Sequence, residues 1–249
     1  MYLTVRGLVL RVVNYNDHDA LLTVLTHSNG KLTMKARGLR RKNSPLVAPC
    51  QLLAYSEFTL FEHRGMYTIN EANSVELFLG LRSDLQLLSL CTYFAQVSDV
   101  LCQEDIPSPE LLSLVLNCFY AVSKMGKSES LVKAVFEIRA ACIAGYTPDL
   151  SGCAMCGRDK AKHFNVTAGH LECGFCVRKS EAGLRVPFSI GVLDAMRYIC
   201  SCGPKQLFSF QLGEDATYEL SQITELYLST QLERGFSSLD FYKTLLYET

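Results

Sequence analysis

The sequence predicts an α+β, multi-domain protein: a small N-terminal β-barrel, then an α-helical bundle carrying an inserted four-cysteine zinc module. Three observations lead there. Five short apolar-rich runs of strand character fill residues 1 to about 75. From Gly80 onward apolar residues recur at spacings of three and four, the period of amphipathic helices. Between two such stretches stand Cys153-Ala-Met-Cys156 and, after sixteen intervening residues, Cys173-Gly-Phe-Cys176. The expected divisions are 1–80 for the barrel, 81–149 and 183–249 for the two parts of the helical domain, and 150–182 for the zinc module.

The first strand runs from Leu3 to Val13 and is broken by Asn14-Tyr-Asn-Asp17. A second covers Leu21–Thr26, and His27-Ser-Asn-Gly30 is a hairpin signal with Gly at the turn. Lys31–Arg37 makes a third and Gln51–Phe61 a fourth; His63-Arg-Gly65 then turns into Met66–Asn70. Five strands in so short a stretch favour closure, which removes exposed edges. An OB-type barrel leads on size and strand number, although periodicity alone does not separate it from an SH3-like one.

Leu81, Leu85, Leu88, Cys91, Tyr93, Phe94 and Val97 mark the first helix. Pro107-Ser-Pro109 interrupts, with Ser108 as N-cap and Pro109 at the first helical position of a helix over Leu111–Met125. Ser128 or Ser130 caps a third, which Gly145 and Pro148 end. Pro187-Phe-Ser189 restarts helical structure, and Glu219–Leu232 and Ser238–Tyr247 close the chain. Helices on both sides of the cysteine module are expected to share one bundle.

Two Cys-x-x-Cys pairs at this separation point to one tetrahedral Zn²⁺ held by Cys153, Cys156, Cys173 and Cys176. Four thiolates leave no position open for water, so the ion is read as structural. His163 and His170 lie between the pairs and are the alternative ligands; a thioredoxin-like redox reading lacks a βαβ context. The other seven cysteines, Cys50, Cys91, Cys102, Cys118, Cys142, Cys200 and Cys202, read as buried free thiols of a reducing compartment. The N-terminus shows no charged segment leading into a long apolar one, and no apolar run approaches eighteen residues. A cytoplasmic protein without a membrane segment is expected.

A formal net charge of −1 argues against global attraction to polyanions, but the charges are not evenly spread. Lys31, Lys35, Arg37, Arg40, Arg41 and Lys42 fall between Asp19 and Glu57 without an acid among them. Residues 213–249 hold seven acids against Arg234 and Lys243. A basic strand and loop on a small barrel is how a single-strand-binding groove is built: cations follow phosphates and aromatic faces stack bases. Tyr15, Tyr55, Phe58, Phe61 and Tyr67 are the aromatic candidates, with core packing as the competing role for each. Lys133 and Arg139 are candidates for a basic patch on the helical part. No phosphate loop, dinucleotide fingerprint or nucleophile–histidine motif is present, so an enzyme is not expected.

These features in this order resemble the RecO family of bacterial recombination-repair mediators. The resemblance rests on Tyr15-Asn-Asp-His-Asp19, Leu25-Thr26, Gly30-Lys-Leu32, Lys35-Ala-Arg-Gly-Leu-Arg-Arg-Lys42 with Ser44, and Arg64-Gly65. Cys153-x-x-Cys-Gly157, Phe164, Gly169 and the second cysteine pair extend it. Leu39 and Asn43 depart from the family's basic run and leave its charge intact. The resemblance implies an OB-fold, then a helical domain with a zinc finger. It also implies binding to single- and double-stranded DNA, strand annealing, and action with RecR to load RecA onto DNA coated by single-stranded-DNA-binding protein, in a nucleoid-associated setting. Carried onto this chain, Lys31, Lys35, Arg37, Arg40, Arg41 and Lys42 become the DNA contacts, with Arg6, Arg11 and Arg64 as further members. The alternative is a zinc-containing protein-interaction adaptor whose DNA contact is incidental.

Overall fold

A computed structural model describes residues 2–179 and 183–247. The strands β1 (Tyr2–Tyr15), β2 (Asp19–Thr26), β3 (Lys31–Ala36), β4 (Tyr55–His63) and β5 (Met66–Glu76) form a closed barrel in the order β1-β2-β3-β5-β4. All pairs are antiparallel except β3 with β5, where Met34 faces Tyr67 and Lys35 faces Thr68. A five-stranded Greek-key barrel of this kind is the OB type rather than the SH3-like alternative. Alternate residues point inward, so Val5, Val9, Leu22, Val24, Leu32, Met34, Phe58, Leu60 and Ile69 fill the interior. Phe58, expected among stacking candidates, belongs to this core and is fully buried.

The third strand ends at Ala36, one residue before Arg37, and the fourth begins at Tyr55 rather than Gln51. Leu53 has φ 64° and Ala54 N donates to Gln51 O, so the chain turns there before it can pair. Residues 37–54 therefore form a turn-rich connection, pinned by Leu39, Leu46 and Cys50 in the barrel core. The fifth strand runs on to Glu76, beyond the expected Asn70.

The helices are α1 (Leu79–Arg82), α2 (Leu85–Leu101), α3 (Pro109–Ser123), α4 (Glu129–Ile143), α5 (Ile190–Ser201), α6 (Glu214–Gln231) and α7 (Ser237–Tyr247). Asp84 caps α2 by accepting from the N–H groups of Gln86 and Leu87. Pro109 takes the first position of α3, but the hydroxyls of Ser108 and Ser128 make no capping bond.

The chain divides into two compact units, Met1–Lys124 with Phe236–Thr249, and Met125–Gly235. Helices α1, α2, α3 and α7 fall in the first unit and α4, α5 and α6 in the second. In the first unit α2 lies against β1, which explains why Leu8 and Leu10 are buried as well as Val9. α7 returns to α2, where Tyr93 meets the Phe236 ring at 5.5 Å and Ser238 Oγ donates to Gln96 Oε1 at 2.7 Å. In the second unit α4 packs on α5 and α6, beside a four-stranded sheet of β6 (Asp149–Cys153), β7 (His163–Asn165), β8 (His170–Glu172) and β9 (Arg185–Pro187), ordered β6-β8-β7-β9. The end of the module expected at residue 182 falls outside the described residues.

Lys133 belongs to the second unit's interior, not to a surface patch. Its ammonium lies 3.0 Å from Glu137 and 2.8 Å from Glu225, and it also donates to Ser221. Arg139 donates to the carbonyls of Ile199 and Cys200.

Candidate nucleic-acid interface and metal centre

The nine candidate cations divide by their partners. Arg6 faces Glu57 across β1 and β4 at 2.7 Å, an exposed pair. Arg11 and Lys31 share Asp99 of α2, at 3.7 and 3.1 Å, and Lys31 also donates to the Asp99 carbonyl. Lys35 lies 3.1 Å from Asp19. Arg37, Arg40, Arg41, Lys42 and Arg64 are exposed and make no ion pair among the described residues.

Asp19 explains how the basic turn is held. Its carboxylate accepts from Gly38 N at 2.9 Å, while Arg40 N donates to His18 O and Arg41 N to Gly38 O. The Gly38 N–H and then the Lys35 ammonium hold Asp19 below its ordinary carboxylate range. Gly38 has φ +66°, a conformation that L side chains rarely adopt. With Leu39 anchored in the core, Arg37, Arg40, Arg41 and Lys42 are left on the outside of one tight turn.

Beside Arg37 the barrel surface is concave and aromatic. A depression of about 600 Å³ is lined by Tyr2, Arg37, Phe61, His63, Thr68, Ile69 and Asn70. Its geometry follows from register: Tyr2 pairs with Phe61, and Phe61 pairs with Thr68, so the three lie side by side on β1, β4 and β5. His63, two residues beyond Phe61, returns to the same face. The Tyr2 and Phe61 rings meet at 5.4 Å, and Phe61 and His63 are nearly parallel at 6.5 Å. Tyr2 and Phe61 are 64% and 41% exposed, unlike any aromatic packed in the barrel core. Phe61 was a candidate from sequence; Tyr2 and His63 were missed. The period-two offset from Phe61 marks His63, whereas Tyr2 depends on strand register that no local pattern reveals.

In the second unit β6 and β8 run parallel and set Cys153 beside the second cysteine pair. Gly157 N donates to Cys153 O and Gly157 has φ +70°, so the chain curls back over the first pair. The sulfurs of Cys153, Cys156, Cys173 and Cys176 all lie within 4.8 Å of one another, and Cys156 Sγ is 3.8 Å from Cys173 Sγ. A tetrahedron with metal–sulfur bonds of about 2.3 Å has sulfur–sulfur edges of about 3.8 Å. Cys173 N donates to Cys153 Sγ at 3.3 Å, a bond that favours thiolate. The Cys176 N–H draws the Cys173 thiol down to about 6, while burial and the neighbouring sulfurs push Cys176 up to about 12. Four thiols this close cannot all ionise without a cation among them, so the set fits a metal ion. His170 is turned to Glu172 at 3.3 Å, and Glu172 also binds Arg185 and Asn165 within the small sheet.

The module's outer surface carries a feature that sequence reading passed over. Arg158, Lys160, Lys162, Arg178 and Lys179 are exposed, with Asp159 as the exposed acid among them. Phe175 is 59% exposed, and the Lys179 ammonium lies 4.5 Å from its ring centre.

No described helix is long and apolar enough to cross a membrane. A family model described as Recombination protein O N terminal matches residues 1–78, and one described as Recombination protein O C terminal matches residues 82–240. Similar chains named DNA repair protein RecO come from Acetivibrio thermocellus, 35% identical over 98% of this chain and 97% of that one, and from Symbiobacterium thermophilum, 27% identical over 97% and 96%. One from Bacillus subtilis is 27% identical over 89% of this chain and 86% of its own. With family models covering barrel and helical parts alike, the chain belongs to the RecO family.

Proposed function

We propose that this chain is a non-catalytic DNA-repair mediator that binds single- and double-stranded DNA, anneals complementary strands and, with RecR, helps load RecA onto DNA coated by single-stranded-DNA-binding protein. The relatives' name supplies the DNA-repair role. One observation carries the DNA reading: four exposed cations, Arg37, Arg40, Arg41 and Lys42, stand on one turn of an OB-type barrel, and Arg37 of that turn lines an open aromatic concavity. The cations follow the phosphates, and Tyr2, Phe61 and His63 offer ring faces to unstacked bases. Lys31, Lys35, Arg6 and Arg11 already hold acids and set the frame for that surface. The exposed cations of the cysteine module give a second strand somewhere to lie, as annealing requires. In this reading the protein works in the cytoplasm, at the nucleoid.

The metal is assigned as a single structural Zn²⁺. Four thiolates suit a soft or borderline cation, and zinc has no redox chemistry of its own. When bound it supplies charge neutralisation and a cross-link between the two Cys-x-x-Cys turns. Cys153 and Cys173 hold the β6–β8 edge, and Cys156 and Cys176 hold the turns beyond it.

Neutralising Arg37, Arg40 and Arg41 together tests the DNA reading. The expected result is an intact fold with DNA binding reduced at least tenfold at physiological salt. Unchanged binding would remove the barrel surface from the reading.

A further inference from the structure

We propose that Cys142 and Cys200 are a redox-sensitive pair that forms a reversible disulfide between α4 and α5 on exposure to a peroxide. Their sulfurs stand 3.7 Å apart, the contact of two unbonded thiols already aimed at each other. Both are half-buried, as is Cys202 beside them. The sequence reading made all seven cysteines outside the metal motif buried thiols, and this trio departs from it. Cys50, Cys91, Cys102 and Cys118 do lie in the interior, where burial pushes Cys50 up to about 12 and Cys102 up to about 11.

The surroundings of the pair are different. Arg139 of α4 donates to the carbonyls of Ile199 and Cys200 at 3.3 and 2.9 Å, which fixes α5 against α4 at the level of the two sulfurs. The hydrogen-bonded contact with Cys200, then the Thr147 hydroxyl and the nearby Arg139 charge, draw Cys142 down to about 7. A partly exposed thiolate beside a cation, with a second thiol in reach, is the arrangement in which oxidation is site-selective.

The chemistry balances in two steps. The Cys142 thiolate attacks one peroxide oxygen; the O–O bond breaks, sulfur is oxidised to the sulfenic acid and hydroxide leaves. Cys200 sulfur then attacks the sulfenic sulfur; the S–S bond forms, the S–O bond breaks, and the Cys200 proton leaves with that oxygen as water. A dithiol reductant reverses the link by exchange. Arg197 of α5 donates to the carbonyls of Leu150 and Ser151, just before Cys153, so the link would stiffen the helices on which the metal module stands.

The test treats the metal-loaded full chain with graded hydrogen peroxide, alkylates the remaining thiols and maps peptides by mass. Expected is a Cys142–Cys200 cross-linked peptide, lighter by two hydrogen atoms, reversed by dithiothreitol and absent from Cys200→Ser. In that variant a sulfenic-acid trap should label Cys142. The proposal fails if Cys142 and Cys200 stay alkylatable at peroxide levels that already oxidise buried Cys118, or if Cys200→Ser shows the same loss of hydrogen. Should Cys200→Ser not fold, the peptide map of the unaltered chain decides.

Discussion

The Lys35 ammonium lies 3.1 Å from the Asp19 carboxylate and 4.8 Å from the centre of the Tyr15 ring. A cation with two partners on its own barrel has a structural post, and that separates Lys35 from Arg37, Arg40, Arg41 and Lys42 of the basic run. Lys35→Ala is expected to cost up to about 1 kcal/mol of stability, as for a partly exposed ion pair. It should weaken DNA binding less than Arg37→Ala measured beside it. Asp19 is held below its ordinary range, so its contribution is present at neutral pH and is lost as pH falls through its lowered folded value. Thermal melts of the wild type and Asp19→Asn should therefore differ at pH 7 and converge on strong acidification.

Gly30 offers a sharper test of the barrel. It has φ +62°, and a Cβ there would stand 2.4 Å from Ile106 O and 2.7 Å from Gln103 O, both backbone atoms. Its carbonyl accepts from Thr26 N and Thr26 Oγ1. Gly30→Ala is expected to destabilise by about 1–3 kcal/mol or more, from the left-handed conformation and the clash together. Denaturant unfolding of the two proteins measures it.

Lys133 and Glu137 are almost fully buried. Removing one partner leaves an uncompensated charge, so Lys133→Met should cost about 3–5 kcal/mol. Burial holds the Glu137 carboxyl above its ordinary range despite Lys133. Folding then favours its protonated form, so the variant's penalty should be larger at pH 7 than at pH 5. Combining it with Glu137→Leu should recover part of the loss in chemical denaturation.

The metal site makes its own demand. Binding a structural Zn²⁺ contributes apparent free energy of roughly 10 kcal/mol or more. Cys153→Ser should bind far less metal and lose soluble yield, by elemental analysis and expression assay. A stable, metal-free variant that keeps DNA binding would contradict a structural role.

Much of this was legible in the sequence because it is local. Hydrophobic alternation marked five strands, and the 27–30 turn and the paired Cys-x-x-Cys segments announced themselves by residue type. The β1-β2-β3-β5-β4 order was not, since β3 meets β5 through residues over thirty positions apart, such as Met34 and Tyr67. The division of the helices escaped for the same reason: α7 looks amphipathic in sequence, but only packing puts Phe236 on Tyr93. Charge counts found the basic run and could not see that Asp99 lies beside Lys31 and Arg11. Short strands such as His163–Asn165 carry too few residues for a periodic signal.

The most direct measurement is fluorescence anisotropy of a labelled single-stranded oligonucleotide, titrated with protein across a series of salt concentrations. If about five phosphates are neutralised, log K should fall with log salt at a slope of roughly −3.5. The Arg37→Ala, Arg40→Ala, Arg41→Ala triple variant should then flatten that slope by about 2, reflecting three lost contacts. No binding by the wild type at low salt, or a slope that the triple variant leaves unchanged, would contradict the barrel turn as the DNA-binding surface.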